Sequence, residues 1–201
     1  MNNQLALDHL RKDSKMKLVV DTTVVEWPAT DGDVYAQLLR SIVYQQLSGK
    51  AAGTIHRRFL ELFPDGYPHP DTIQTFDLAD LRVVGLSRQK ASYIQNVAEY
   101  FLEHKLLDRD WTTASDEVIL KELTTIKGVG KWTVQMILMF TLQRMDVFPV
   151  DDLGIQQAIQ QLFSLEELKG RELKKKMQEV AAPWRPYRTV ASLYLWRWKD
   201  A

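Results

Sequence analysis

Two stretches hold residues whose types and spacing suit chemistry at a charged centre. In "LTTIKGVGKWTVQMI", residues 123–137, Gly128 and Gly130 fall where one helical pattern ends and the next begins. Glycines there permit positive φ and leave no side chain between the backbone and an approaching partner. Lys131 opens the following helix, and Thr133 adds a donor close behind it. The free N–H groups and positive dipole end of that helix form a small anion site, suited to one phosphate of a nucleic-acid backbone and needing no base contact. In "DVFPVDDLGIQQAI", residues 146–159, Pro149 breaks the preceding pattern and Asp151 or Asp152 stands at the start of an amphipathic helix. A cap needs one carboxylate, and two are present. A second one near a phosphate-binding turn has a use: it stabilises a cationic sugar and positions water against it.

The elements that must place these groups read as helices nearly throughout, with no alternating strand. "DVYAQLLRSIVYQQLS" sets Val34, Leu38, Ile42 and Leu47 on one stripe, with Asp31 or Asp33 as cap. "KAAGTIHRRFLELF" turns Ala52, Ile55, Phe59, Leu62 and Phe63 inward and is stopped by Pro64, Gly66, Pro68 and Pro70, a cluster that reads as a loop. Further helical patterns run over 88–104, 115–123, 131–143, 152–163, 171–181 and 186–199. The fold class is all-α. The turns near 64–72 and 107–113 are where the chain is expected to cross between lobes: an N-terminal segment 1–32 packing on the helical body, a first lobe 33–112, and a second lobe 113–201 that carries the hairpin.

Composition narrows the function classes. The chain has no cysteine, which removes disulfides, thiolate zinc sites, cysteine nucleophiles and cysteine-ligated iron–sulfur clusters. Nothing resembles a signal peptide or a membrane span, so an intracellular, soluble protein is expected. Lys plus Arg and Asp plus Glu balance at 26 each. The balance is uneven along the chain: from Ile126 onward 12 Lys/Arg face 8 Asp/Glu, a surplus of 4. The basic excess therefore lies with the hairpin.

Taken in order, "SIVYQQLSGKAAGTI", "VVGLSRQKASYIQNVA", the hairpin, "PVDD" and "PWRPYRTVASLYLWRW" resemble the helix-hairpin-helix DNA glycosylase superfamily, most of all its alkylbase branch, over about residues 33–200. The resemblance implies a two-lobed helical fold with a central cleft for a flipped-out base, closed by the last helices. It implies a catalytic role for Asp152, which has Ile155 three residues on, and a variable neighbour in Asp151. Gly128, Gly130, Lys131 and Thr133 match the phosphate-contacting turn. The backbone carbonyls of Thr124, Ile126 and Val129 match positions where relatives hold a monovalent cation, so a structural Na or K ion is implied and no other cofactor is required. Strand-cutting members carry a lysine two residues after the second hairpin glycine. Trp132 stands there in this chain, and Lys131 is one residue early, turned by about 100° on a helix.

The resemblance further implies a pocket of aromatic rings for cationic alkylated purines, with Trp132 and Tyr187 in matching positions and Tyr44 a third candidate. Gln46 or Leu47, in the turn after Tyr44, would fill the gap left by the extruded nucleotide, with Ser48 capping the next helix. Lys50, Arg88 and Lys90 are outlying phosphate-contact candidates. The expected function is base-excision repair by a monofunctional N-glycosylase that acts on alkylated purines in double-stranded DNA and leaves an abasic site. A monomer is expected, cytoplasmic and nucleoid-associated in a bacterium or nuclear in a eukaryote. The alternatives are a glycosylase of the same fold for oxidised or mismatched bases, and a non-catalytic damage-binding module. Plain core packing is the competing role for each aromatic residue.

Overall fold

Short polar side chains ahead of apolar-periodic runs set half of the α-helix starts. The computed structural model describes residues 4–27 and 29–200, so residues 1–3 and 28 of the N-terminal segment lie outside the described residues. Among the described residues there is no strand. The helices are α1 (Gln4–Leu10), α2 (Ser14–Thr22), α3 (Val34–Tyr44), α4 (Gly49–Leu60), α5 (Pro70–Thr75), α6 (Leu78–Val83), α7 (Arg88–Glu103), α8 (Asp116–Leu123), α9 (Lys131–Met136), α10 (Leu153–Phe163), α11 (Gly170–Ala181) and α12 (Arg188–Lys199). Asp13, Asp33, Ser87, Ser115 and Asp152 each accept a first-turn N–H through the side chain, and Asp77 with Asp80 closes a capping box. No described helix is long and apolar enough to cross a membrane.

The chain forms two compact units, one of residues 30–137 and one that joins the segment up to Ala29 with residues from Leu138 onward. The crossings fall at 29/30 and 137/138, not in the turns near 64–72 and 107–113. Those turns are internal to one unit, since Pro70 opens α5 as its first residue and Asp110 and Ser115 cap the elements that follow. The crossing at 137/138 gives no polar or glycine signal. After Met136 the helix widens into a π segment, Ile137–Thr141, so the expected continuous helix over 131–143 is cut short. This partition places the hairpin with α3–α9 and Asp152 with α10–α12.

In the 30–137 unit α7 is the central helix, packed by α3, α5 and α6, while α9 packs on α3 and α8. Leu38, Ile42, Phe59, Ile94 and Val97 are fully buried there. In the other unit α12 packs against α10, α2 and α1, around Met16, Val19, Ile155, Ile159, Met177 and Leu195. Trp184 is buried in this core and donates its indole N–H to Asp13, which ties the α1–α2 turn to the segment before α12. Each such aliphatic side chain contributes about 1.5–3 kcal/mol of burial. Both units therefore supply a rigid floor for their own functional groups.

Candidate active site

Asp152 is the N-cap of α10, and its Oδ1 accepts two hydrogen bonds, from the Ile155 N–H at 2.9 Å and from Trp196 Nε1 at 2.8 Å. The first bond is ordinary capping, but the second fixes the carboxylate from a helix 44 residues away. Gly154 makes this possible. A Cβ there would sit 2.9 Å from Trp196 Cδ1 and 3.1 Å from Asp152 Oδ1. Asp152 is half-buried, and the positive end of α10 favours its charge. Asp151 behaves differently: it is exposed and paired with Lys174 at 2.5 Å. The two adjacent carboxylates thus separate into one solvated ion pair and one oriented acceptor.

The loop leading to Asp152 is clamped by the first turn of α12. Arg188 Nε and Nη2 grip the Asp146 carboxylate at 2.7 and 3.0 Å, a two-pronged pairing that an arginine fork supports. Thr189 donates to the Arg144 carbonyl at 2.6 Å and accepts from the Val147 N–H at 2.9 Å. The Val150 carbonyl accepts from Gln156 of α10. Sequence reasoning found Asp152 but missed Trp196, Arg188, Thr189 and Asp146. Trp196, Arg188 and Thr189 lie in the closing "PWRPYRTVASLYLWRW", where only Tyr187 drew a role, and Asp146 opens the stretch that carries Asp152. Tyr187 lies at the N-cap of α12, its ring edge-on to His9 at 5.4 Å and packed against the apolar core of its unit.

The hairpin in the 30–137 unit departs from expectation at one glycine. Gly128 has φ of 107°, whereas Gly130 has φ of −93° and ψ of 165°, extended backbone that any residue adopts, as the N-cap of α9. Gly128 is required twice, because a Cβ there would lie 2.2 Å from Tyr93 Cγ. The partner pressed against this glycine is the protein's own ring, which sequence reasoning missed. Lys131 and Trp132 are exposed at the start of α9, and Trp132, at 44% exposure, is not a core residue. Thr133 is buried at 4%, so its hydroxyl is withdrawn from the surface and its backbone N–H in the first turn is what remains for an anion. Ile126 and Val129 anchor the turn in the core, and the Ile126 carbonyl accepts the Val129 N–H at 3.0 Å. Thr124 closes α8 as its C-cap.

In the same unit Tyr44 ends α3, with the Arg40 guanidinium 4.4 Å over its ring and His56 edge-on at 6.1 Å. Burial first, and then the Arg40 charge, hold the His56 imidazole below its usual range. Gln46 has φ of 56° in the turn after α3, and Leu47 is 41% exposed, so it leaves the α3 stripe on which periodicity had placed it. Ser48 occupies the N-cap position of α4, but its side chain makes no capping bond. Among the described residues no group of three or more His, Cys, Asp or Glu is arranged to hold a metal ion.

The geometry has known counterparts. Residues 39–183 match the HhH-GPD superfamily of base excision DNA repair proteins. The chain is 36% identical over 200 residues to the putative DNA-3-methyladenine glycosylase YfjP of Bacillus subtilis, covering 96% of this chain and 68% of that one. It is 35% identical over 165 residues to DNA-3-methyladenine glycosylase 1 of Schizosaccharomyces pombe, covering 81% and 71%. Among solved structures, the S. pombe 3-methyladenine DNA glycosylase in complex with abasic DNA superposes with a TM-score of 0.83 at 32% identity, covering 96% of this chain and 95% of that one. The DNA-3-methyladenine glycosidase of Bacillus halodurans superposes with a TM-score of 0.83 at 33% identity, over 98% and 89%. An all-helical chain whose hairpin and capped aspartate fall inside the matched span belongs to the HhH-GPD superfamily of base excision DNA repair proteins.

Proposed function

We propose that this protein excises alkylated purines of the 3-methyladenine type from double-stranded DNA by hydrolysis of the N-glycosidic bond, leaving an abasic site. The observation that carries the reading is Asp152, held by the Ile155 N–H and Trp196 Nε1 at the start of α10. A carboxylate oriented in this way stabilises positive charge that develops only in the transition state, with no reorganisation when the charge appears. An alkylated purine already carries that charge on the base. When its bond to C1′ breaks, the electron pair neutralises the base and leaves the cation on the sugar, next to the carboxylate. Water then adds to C1′ and loses a proton.

The other residues divide the remaining work. The Gly128–Gly130 turn, Lys131 and the first N–H groups of α9, Thr133 among them, hold a backbone phosphate. Trp132 offers an exposed ring to the flipped base, and Tyr187 and Tyr44 are further candidates. Trp132 also stands where strand-cutting relatives carry lysine, so hydrolysis ends at the abasic site. A Na or K ion at the carbonyls of Thr124, Ile126 and Val129 suits hard oxygen donors, and a carbonyl has a second lone pair beyond the one that Ile126 gives to Val129. A monomeric, intracellular repair enzyme is the corresponding setting.

The test is release of methylated bases from methylated DNA, resolved by chromatography, for the wild type, Asp152→Asn and Asp151→Asn. Loss of a few kcal/mol of charge stabilisation slows single-turnover excision by Asp152→Asn roughly a hundredfold or more, with DNA binding retained. Asp151→Asn, which breaks an exposed pair with Lys174, stays near wild type. Near-wild-type excision by Asp152→Asn refutes the assignment.

A further inference from the structure

Lys90, on the first turn of α7, is spent in an unusual way. Its ammonium donates to the Val43 carbonyl at 2.8 Å and the Gln45 carbonyl at 2.6 Å, and no carboxylate pairs with it among the described residues. Both carbonyls belong to the C-terminal end of α3, where unpaired C=O groups and the negative dipole end collect. The turn that follows is strained and exposed. Gln46 takes a left-handed conformation without being glycine, and Leu47 presents an apolar side chain to solvent. Such a conformation persists only where its surroundings over-determine it. Besides the turn's own backbone bonds, among them Leu47 N–H to the Tyr44 carbonyl at 3.4 Å, Lys90 holds it from one side and the Gln45 side chain from the other, its Nε2 donating to the Gly128 carbonyl of the hairpin at 3.3 Å.

This assignment removes Lys90 from the phosphate-contact candidates, because two of its three N–H groups already serve carbonyls. We propose that Lys90 is a positioning residue which, by holding the Val43 and Gln45 carbonyls, fixes Gln46 and Leu47 on a rigid turn registered to the hairpin, so that Leu47 enters the base stack as the damaged nucleotide leaves. The proposal rests on the excision reading. Its logic is that a wedge must be stiff before it meets the DNA, since a turn that orders only on insertion loses binding free energy to that ordering. Lys90 touches neither the base nor the sugar.

The test compares Lys90→Met, which keeps the apolar stem and removes the ammonium, with Lys90→Arg, which restores two donors. The substrates are one methylated adenine paired within a duplex and the same base in a single-nucleotide bulge, where little unstacking is left to do. Lys90→Met should excise the paired base at least tenfold more slowly and the bulged base within threefold of wild type. Lys90→Arg should regain most of the difference. Amide hydrogen exchange at Gln46 and Leu47 should quicken at least tenfold in the folded Lys90→Met protein, a readout that needs no activity. Equal losses on both substrates, or unchanged exchange at the turn, overturn the proposal. A wild type that releases neither base refutes the excision reading instead, and exchange still decides whether Lys90 holds the turn.

Discussion

Gly154→Ala tests whether the Asp152–Trp196 bond matters for the reaction. In most helices the change gives a gain of about 0.5–1 kcal/mol from propensity. Here the added Cβ lands 2.9 Å from Trp196 Cδ1 and 3.1 Å from both Trp196 Nε1 and Asp152 Oδ1. Ordinary van der Waals contact begins several tenths of an ångström further out, so the indole must retreat. Overpacking of this kind costs about 1–3 kcal/mol. The two effects nearly offset, and the melting temperature should move by only a few degrees. Activity has no such offset. A hydrogen bond to a charged group is worth about 1.5–3 kcal/mol, and loss of its lower half slows excision about tenfold at 1.4 kcal/mol per decade. Single-turnover release of 3-methyladenine, with DNA affinity measured in parallel, reads this directly. Trp196→Phe removes the N–H with no clash and should lose a similar factor. The double variant should lose little more, since both changes act on one bond. If Gly154→Ala excises within twofold of wild type, the indole bond plays no part in orienting the carboxylate.

Three other outcomes are expected. Trp132→Leu keeps apolar volume and removes the ring quadrupole, worth about 1–2 kcal/mol for a desolvated cation, so excision of cationic 3-methyladenine should fall about tenfold more than excision of neutral hypoxanthine; equal losses with a lowered melting temperature return the ring to a structural role. Gly128→Ala meets Tyr93 Cγ at 2.2 Å and a φ of 107°, and should lower the melting temperature by about 5–15 °C, from about 2–4 kcal/mol at 2–4 °C each; adding Tyr93→Ala should recover the steric part only. His56 is held below the usual imidazole range by burial and then by Arg40, so the unfolded chain takes up a proton that the folded one resists, and stability falls as pH drops through that range; His56→Gln should shrink the loss of melting temperature between about pH 7.5 and 5.5, and an unchanged loss contradicts the assignment.

Local rules carried the reading wherever the cause was local. Asp33, Ser87, Ser115 and Asp152 announce their helices because a short acceptor beside a free N–H acts within three residues. Leu47 was misplaced because periodicity cannot see that α3 ends at Tyr44 and that Gln46 then reverses the chain. α1, α2, α5 and α6 went unnamed: they are short, mixed in charge or opened by proline, and their order comes from packing on longer helices. At the candidate site, the carboxylate proposed for the chemistry was legible and the side chains that hold it were not. Trp196 reaches Asp152 across 44 residues, Lys90 reaches Gln45 across 45, and Tyr93 fills the space that Gly128 leaves. Such pairings depend on which helix faces come together, and no motif of adjacent residues records that.

The composition of the two units sets an order of assembly. One unit is continuous in the chain, whereas the other closes the helices before Ala29 onto helices after Leu138. At a synthesis rate of about 5–20 residues per second, the roughly 110 residues between them take about 5–20 s to emerge. Throughout that interval Met16, Val19 and Val20 of α2 have no α12 to bury them, while α3–α9 meet the helices they pack on as one continuous stretch emerges. The hairpin half can therefore be folded before the last helices exist. The aspartate half needs a long loop closure at the end, so its closure is expected to be the slow step of maturation, with the apolar face of α2 uncovered until then.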